Sequence, residues 1–259
     1  MNIKAFQKTI WVYYLKHKRN LPWRRTRDPY RILVSEVMLQ QTQVPRVIPK
    51  YKSFLKKFPT VKALAKAKVS DVLRVWQGLG YNRRALYLKR AAEYVVQNFG
   101  GKFPRDFKAL TMLPGIGPAT AGDLLVFAWN IPAIVIETNI RSVFIHFFFP
   151  GKDKVTDKEI LPFIKQTVPK ENPRDWYYAL FDYGSFLKQT ENPSRRSAHH
   201  VRQSKFEGSH RQKRAAILRI FLHKKIQRKN IEKEIKKQTG YDIQTIRNIV
   251  SALKKEGFM

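Results

Sequence analysis

Glu36 lies in the stretch Ser35-Glu-Val-Met-Leu-Gln-Gln-Thr-Gln-Val44, where it is the only charged residue. On such an apolar, amide-bearing helix, burial would keep its carboxyl protonated near neutral pH, which is the requirement for a general acid. Farther along, the turn Leu113-Pro-Gly-Ile-Gly117 opens a helix at Pro118. Gly115 and Gly117 let the backbone approach a ligand closely, and the free N–H groups of the following helix suit a phosphate. Asp106 to Met112 can supply the first helix of a helix–hairpin–helix, which grips a nucleic-acid backbone without reading its sequence. A third element, Trp76-Gln-Gly-Leu-Gly-Tyr-Asn-Arg-Arg-Ala85, can set Tyr81 against a base and Arg83 and Arg84 against phosphates. Each has a plainer reading: a surface ion pair of Glu36 with Arg31 or Arg46, an ordinary glycine turn, and a helix C-cap with an inward tyrosine. Together, an acid and a phosphate anchor point to chemistry on a nucleotide within a polymer.

The composition agrees. Fifty-one Lys and Arg against nineteen Asp and Glu give a formal charge of +32 over 259 residues, which calls for a polyanionic partner, nucleic acid first. The absence of cysteine excludes disulfides, cysteine nucleophiles and thiolate-held zinc or iron–sulfur clusters. His199 and His200 read as solvated loop histidines, so no metal site is expected. No apolar run is long enough to span a bilayer and no signal-peptide core is present, so the expectation is a cytoplasmic, nucleoid-associated protein without membrane contact.

The apolar periodicity is helical nearly throughout, and the predicted class is all-α. Helices are predicted over 3–19, 29–41, 45–57, 60–66, 70–76, 83–99, 105–111, 118–129, 138–148, 156–168 and 173–188. Thr60 and Ser70 are the expected N-caps, and Pro118 fits a first helical position. From Gln189 to His200 the chain turns polar and aperiodic, and helical patterning resumes over 211–226, 230–239 and 243–256. Residues 194–259 carry eighteen basic and five acidic side chains, and the last helices resemble a helix-turn-helix.

At this point the motifs carry a resemblance. Leu21-Pro-Trp-Arg24, the Ser35–Val44 decapeptide, Trp76–Tyr81, Leu113–Gly117 and Glu137-Thr-Asn-Ile-Arg141 occur in the order and spacing of MutY-type adenine DNA glycosylases, members of the helix–hairpin–helix glycosylase superfamily. The resemblance covers about residues 5–188. It implies a two-lobed helical core with duplex DNA bound across its cleft. Residues 21–132 would form a six-helix barrel lobe, and residues 1–20 with 133–210 the second lobe. Residues 211–259 would be a small basic extension. It further implies a monomeric, monofunctional enzyme that flips a mispaired base, most simply adenine opposite guanine or 8-oxoguanine, and hydrolyses its N-glycosidic bond. Glu36 would be the general acid, with Glu137 as the second carboxylate and Asn139 orienting the site. Gln41 and Tyr81 would wedge into the base stack; Trp23, Arg24, Ala119 and Tyr178 would line the pocket.

Several positions depart from that pattern. Glu137 stands where the family has aspartate, which moves the carboxylate by about 1.5 Å. Helix-dipole capping is its plainer role. Ala119 occupies the place of the lysine nucleophile of bifunctional relatives, so no Schiff base and no lyase activity are expected. Tyr178 replaces a glutamate or glutamine that reads the adenine edge. The family's four cysteines after the counterpart of Phe181–Ser185 are missing, so packing or ion pairs of Arg195, Arg196, Arg202 and Glu207 would have to close 189–212 without a cofactor. The usual carboxy-terminal 8-oxoguanine-recognition domain is not expected, with the basic helical tail in its place. Two other readings stay open: a same-fold enzyme removing thymine or uracil from G mismatches, and a non-catalytic DNA-binding protein.

Overall fold

The computed structural model describes residues 2–223 and 231–259; there the chain forms fourteen α-helices, two short 3₁₀ turns and one isolated bridge. The class is all-α, as the periodicity predicts. None of the described helices is long and apolar enough to cross a membrane. Helix ends follow the local chemistry. Thr60 caps α4 (Val61–Lys66) by accepting from the Ala63 N–H at 3.1 Å, and Pro118 starts α8 (Pro118–Trp129). Ser70 is not a cap: α5 (Val69–Trp76) begins earlier, after Lys68 in extended backbone. The 3₁₀ turns at Pro22–Arg25 and Pro193–Arg196 have no periodic signature long enough to be read from the sequence. Parts of the helices expected over 211–226 and 230–239 lie outside the described residues.

The chain divides into two compact units. One joins Met1–Glu36 with Phe103–Arg202, the other Val37–Lys102 with Gln203–Met259. The anticipated lobes divided the chain differently, placing 103–132 with the barrel and leaving 211–259 apart. In the structure α8 abuts the segment leading into α9, and α12 (His210–His223) packs on α5, where Arg74 Nε donates to the Leu222 carbonyl at 2.9 Å.

The first unit is built around α11 (Pro173–Thr190), whose Trp176, Tyr177, Tyr178, Ala179 and Leu180 are all buried. α1 (Ile3–His17) lays Phe6 against Phe144, Phe147 and Phe148 of α9 (Thr138–Phe148), at ring separations of 5.3, 5.2 and 5.0 Å. Gly184 lets α11 approach α9 closely: a Cβ there would stand 2.3 Å from the Asn139 carbonyl oxygen. After α11 the chain is stitched back onto the 149–155 segment. Val155 N–H donates to the Arg196 carbonyl and Ala198 N–H to the Val155 carbonyl, each at 2.9 Å; Arg196 Nη1 donates to the carbonyls of Phe149 and Lys152 at 2.6 and 3.1 Å. Of the arginines expected to close this region, Arg196 does so through carbonyl oxygens rather than an ion pair.

The second unit packs α3 (Val44–Lys57), α5 and α6 (Arg83–Phe99) around Phe54, Leu64, Trp76 and Leu88. Its distinctive feature is a knot on Arg84. This guanidinium donates to the carbonyls of Val37, Met38, Leu79 and Gly80 at 2.8 to 3.2 Å, to that of Gln40, and to Thr42 Oγ1 at 3.1 Å. It thereby fastens the end of α2 (Pro29–Leu39) to the loop before α6. Gln41 and Tyr81, at φ 53° and 46°, stand in the left-handed region that side-chain-bearing residues seldom occupy. Burial lowers the Arg84 pKa to about 10.

Two outcomes follow. Gly184→Ala should destabilise by about 1–3 kcal/mol, because backbone must move to admit the methyl group; a denaturation midpoint equal to wild type would contradict the close approach. Arg84→Lys should cost roughly 1–3 kcal/mol, since one ammonium cannot satisfy carbonyls that far apart. Amide exchange at 79–82 should quicken more than in α3, and uniform exchange would argue against the knot.

Candidate active site

In the first unit, α2 brings up Glu36, the 3₁₀ turn brings Trp23 and Arg24, α8 brings Asp123, and the residue before α9 is Glu137. Glu36 is enclosed by protein while keeping part of its surface accessible. Burial pushes its pKa up to about 8, the Glu137 charge adds to the rise, and the Arg24 guanidinium opposes it. At neutral pH the acid form therefore exceeds the anion by about tenfold. The surface ion pair considered for Glu36 is not formed: Arg31 instead faces Asp28 at 3.8 Å.

Glu137 uses its longer side chain to cap α9. Its Oε1 accepts the backbone N–H groups of Asn139 and Ile140 at 2.8 and 3.1 Å, while Oε2 accepts the Asn139 Nδ2 donor at 3.3 Å. Burial raises its pKa, whereas these N–H groups and Arg141 favour the anion. Capping and carboxylate chemistry are thus compatible, because Oε2 takes only that long amide contact. Arg141 is itself held by both Asp157 oxygens, at 2.6 and 2.7 Å.

Arg24 and Tyr178 support the site more than they line it. Arg24 makes a paired contact with Asp182, Nη1 to Oδ2 at 2.7 Å and Nη2 to Oδ1 at 2.8 Å, and lies 4.4 Å above the Tyr178 ring. Phe127 stacks on Tyr178 at 4.7 Å. Arg24 and Phe127 thus occupy its ring, and Arg174 hydrogen-bonds its hydroxyl. Arg19 also donates to Asp182, whose side chain is 1% exposed. Removing Asp182 would strand the buried Arg24 guanidinium, at about 3–5 kcal/mol.

Trp23 is buried. Gly115 adopts φ 78°, as the turn requires, whereas Gly117 is extended, and a Cβ on it would meet nothing within 4 Å. The first turn of α8 is accordingly open, with Ala119 exposed on it. Gln41 and Tyr81 are exposed in the second unit. The Tyr81 hydroxyl accepts from Gln203 and, at 3.1 Å, from Arg211. Arg83 faces Glu256 at 3.2 Å and remains largely exposed. Arg84, expected at a phosphate, is committed to the knot described above.

Sequence reasoning overlooked Asp123, Asp182 and Arg174. Arg174 donates to the carbonyls of Arg24 and Thr26 at 3.0 and 2.6 Å and so fixes the turn that carries Arg24. Asp123 carried a usable signal: it is the one charged side chain of α8. The residues after α11 do not fit a thiolate-held cluster, for the chain has no cysteine. Among the described residues no group of three or more His, Cys, Asp or Glu is arranged to hold a metal ion.

Comparison with known proteins accords with this geometry. The profile of HhH-GPD superfamily base excision DNA repair proteins matches residues 34–170. An adenine DNA glycosylase of Buchnera aphidicola subsp. Baizongia pistaciae is 35% identical over 74% of this chain and 56% of its own length. The human adenine DNA glycosylase is 34% identical over 74% of this chain and 37% of its own. A solved thermostable thymine-DNA glycosylase superposes with a TM-score of 0.66 at 28% identity, over 74% of this chain and 90% of that one. The alignments span between 51% and 57% of three Buchnera adenine glycosylases, about half their length. A profile match over more than half the residues, on a helical chain that sets a sheltered glutamic acid beside a helix-capping carboxylate, makes this chain a member of the HhH-GPD superfamily.

Proposed function

We propose that this chain is a monofunctional DNA glycosylase that extrudes a mispaired purine, most simply adenine opposite guanine or 8-oxoguanine, and hydrolyses its N-glycosidic bond. One observation carries this reading: Glu36 is enclosed and favours its acid form, while Glu137, the second carboxyl of the site, has an oxygen held by two backbone N–H groups at the start of α9. Adenine is a poor leaving group as an anion, so a proton delivered to a ring nitrogen lowers the barrier, by about 10²–10⁴-fold for a well-matched acid. The electron pair of the C1′–N bond leaves with the base. The Glu137 carboxylate stabilises the cationic sugar and takes the proton of the attacking water. Ala119 offers no amine, so the product is an abasic site in an unbroken strand. The open first turn of α8 is suited to a backbone phosphate, and Gln41 and Tyr81 to the base stack.

A second reading, removal of thymine or uracil from G mismatches, is supported by the likeness to the thymine-DNA glycosylase. A pyrimidine departs as a stabilised anion and does not need the acid. The deciding experiment presents duplexes with each mispair or lesion and reveals abasic sites with alkali. Excision of adenine, abolished by Glu36→Gln, supports the purine reading; thymine or uracil excision that survives Glu36→Gln supports the second. Tight duplex binding without any abasic site would leave a binding protein.

Two further outcomes belong to this proposal. The acid form of Glu36 is present below its pKa of about 8 and lost above it, so single-turnover excision should fall as pH rises through that value. A rate flat to pH 9.5 or beyond, roughly 1.5 units past that pKa, would remove Glu36 as the acid. Duplex affinity should fall linearly on a log–log plot against salt as counterions are released, and a salt-independent affinity would contradict phosphate neutralisation.

A further inference from the structure

α8 is uncharged apart from Asp123. The neighbouring Gly122 fixes where this residue sits: a Cβ on it would lie 2.9 Å from the Ile134 carbonyl oxygen and 3.4 Å from Val135 Cγ2. Residue 123 is thus held beside the extended segment that runs directly into Glu137. Tyr177 of α11 braces the same segment, its hydroxyl accepting from the Val135 N–H at 3.1 Å and donating to the Ala133 carbonyl at 2.8 Å. Asp123 Oδ1 is shut away from solvent and has no hydrogen-bond partner. A buried polar atom left unpaired costs about 1–3 kcal/mol, so a carboxyl is a poor filler for this position.

Three titratable groups face Asp123: Glu36 from α2, Glu137 from the start of α9, and the Tyr177 phenol from α11. None is a cation. Arg24 acts on Glu36, and Arg141 on Glu137. Burial, then Glu36, then Glu137 push the Asp123 pKa well above the usual carboxylate range. Burial and the like charges thus favour the neutral form of Asp123, whereas Glu137 alone of the three carboxyls has backbone N–H groups of a helix start on one oxygen.

We propose that Asp123 is a positioning residue that acts through Glu36: its carboxyl O–H donates a hydrogen bond, directly or through one water, to the Glu36 carboxylate left when Glu36 has given up its proton. The inference rests on the excision chemistry proposed above. In that step the Glu36 O–H bond breaks, an N–H bond forms on the departing base, and the C1′–N pair leaves with it. Asp123 keeps its own O–H bond throughout, so no further reactant is needed. At that moment two anions, Glu36 and Glu137, share an enclosed site. A hydrogen bond from a neutral acid to one of them is charge-assisted and roughly twice as strong as a neutral one.

The test titrates the Glu36 carboxyl by ¹³C NMR in the unliganded protein and measures single-turnover excision alongside. In Asp123→Ala, loss of the donor should move the Glu36 titration upward by roughly one pH unit and lower excision by about 10- to 100-fold. Asp123→Asn keeps the shape and an N–H donor; its upward move should be smaller and its loss of rate only about threefold. It carries the test if the alanine variant fails to fold. A Glu36 titration that stays put overturns the proposal, and so does excision lost without a shift, which would mark mere packing. A downward shift overturns it too, since it would reveal Asp123 as an anion in the wild type, as does an upward shift with excision unchanged. Should the wild type excise no base from any duplex, the glycosylase reading fails, while the titration still decides whether Asp123 acts on Glu36.

Discussion

The carboxyl of Glu36 is withdrawn from bulk water yet not neutralised by a close cation, and everything proposed for this chain depends on that imbalance. An ionised carboxylate in such a place is disfavoured by desolvation, and the nearby Glu137 makes it more so. Arg24 could reverse the outcome, since a free guanidinium would drag the Glu36 proton off. It is instead occupied by Asp182, with both oxygens engaged, and its remaining influence on Glu36 is the weakest of the three. Asp182 thus does for Arg24 what no contact does for Glu36, and the difference between the two carboxyls separates a structural ion pair from a reactive acid.

Glu137 faces the opposite demand. A sugar cation is stabilised by an anion, and an anion in an enclosed place must be held by donors. The start of α9 supplies them: two backbone N–H groups on one oxygen, with Arg141 farther out. The extra methylene relative to aspartate is absorbed by reaching back to the helix. Burial raises both carboxyls, but only Glu137 has a helix terminus that works against the rise.

The helices were legible because their apolar spacing is regular, and the Ser35–Val44 segment was legible because its one charge stands among uncharged neighbours. Arg84 was misread for a physical reason. A guanidinium beside another in a Gly-rich turn reads as a phosphate ligand, and only the three-dimensional return of Val37 to Gln40 supplies the carbonyls that claim it. Tyr178 could not be judged from sequence either, since Phe127 and Arg24, far away along the chain, occupy its ring. Asp123 stood in plain view on α8, but its partners lie on three other segments. Nonlocal pairing of this kind leaves no periodic trace.

The stitch of Arg196 and the 155–198 backbone contacts onto Phe149 and Lys152 carries a consequence for how this chain meets oxidation. The family pattern described for the sequence places four thiolates in the corresponding stretch. Here the same closure is written in peptide groups and one guanidinium. With no cysteine in the sequence, oxidation has no thiolate to remove from this closure.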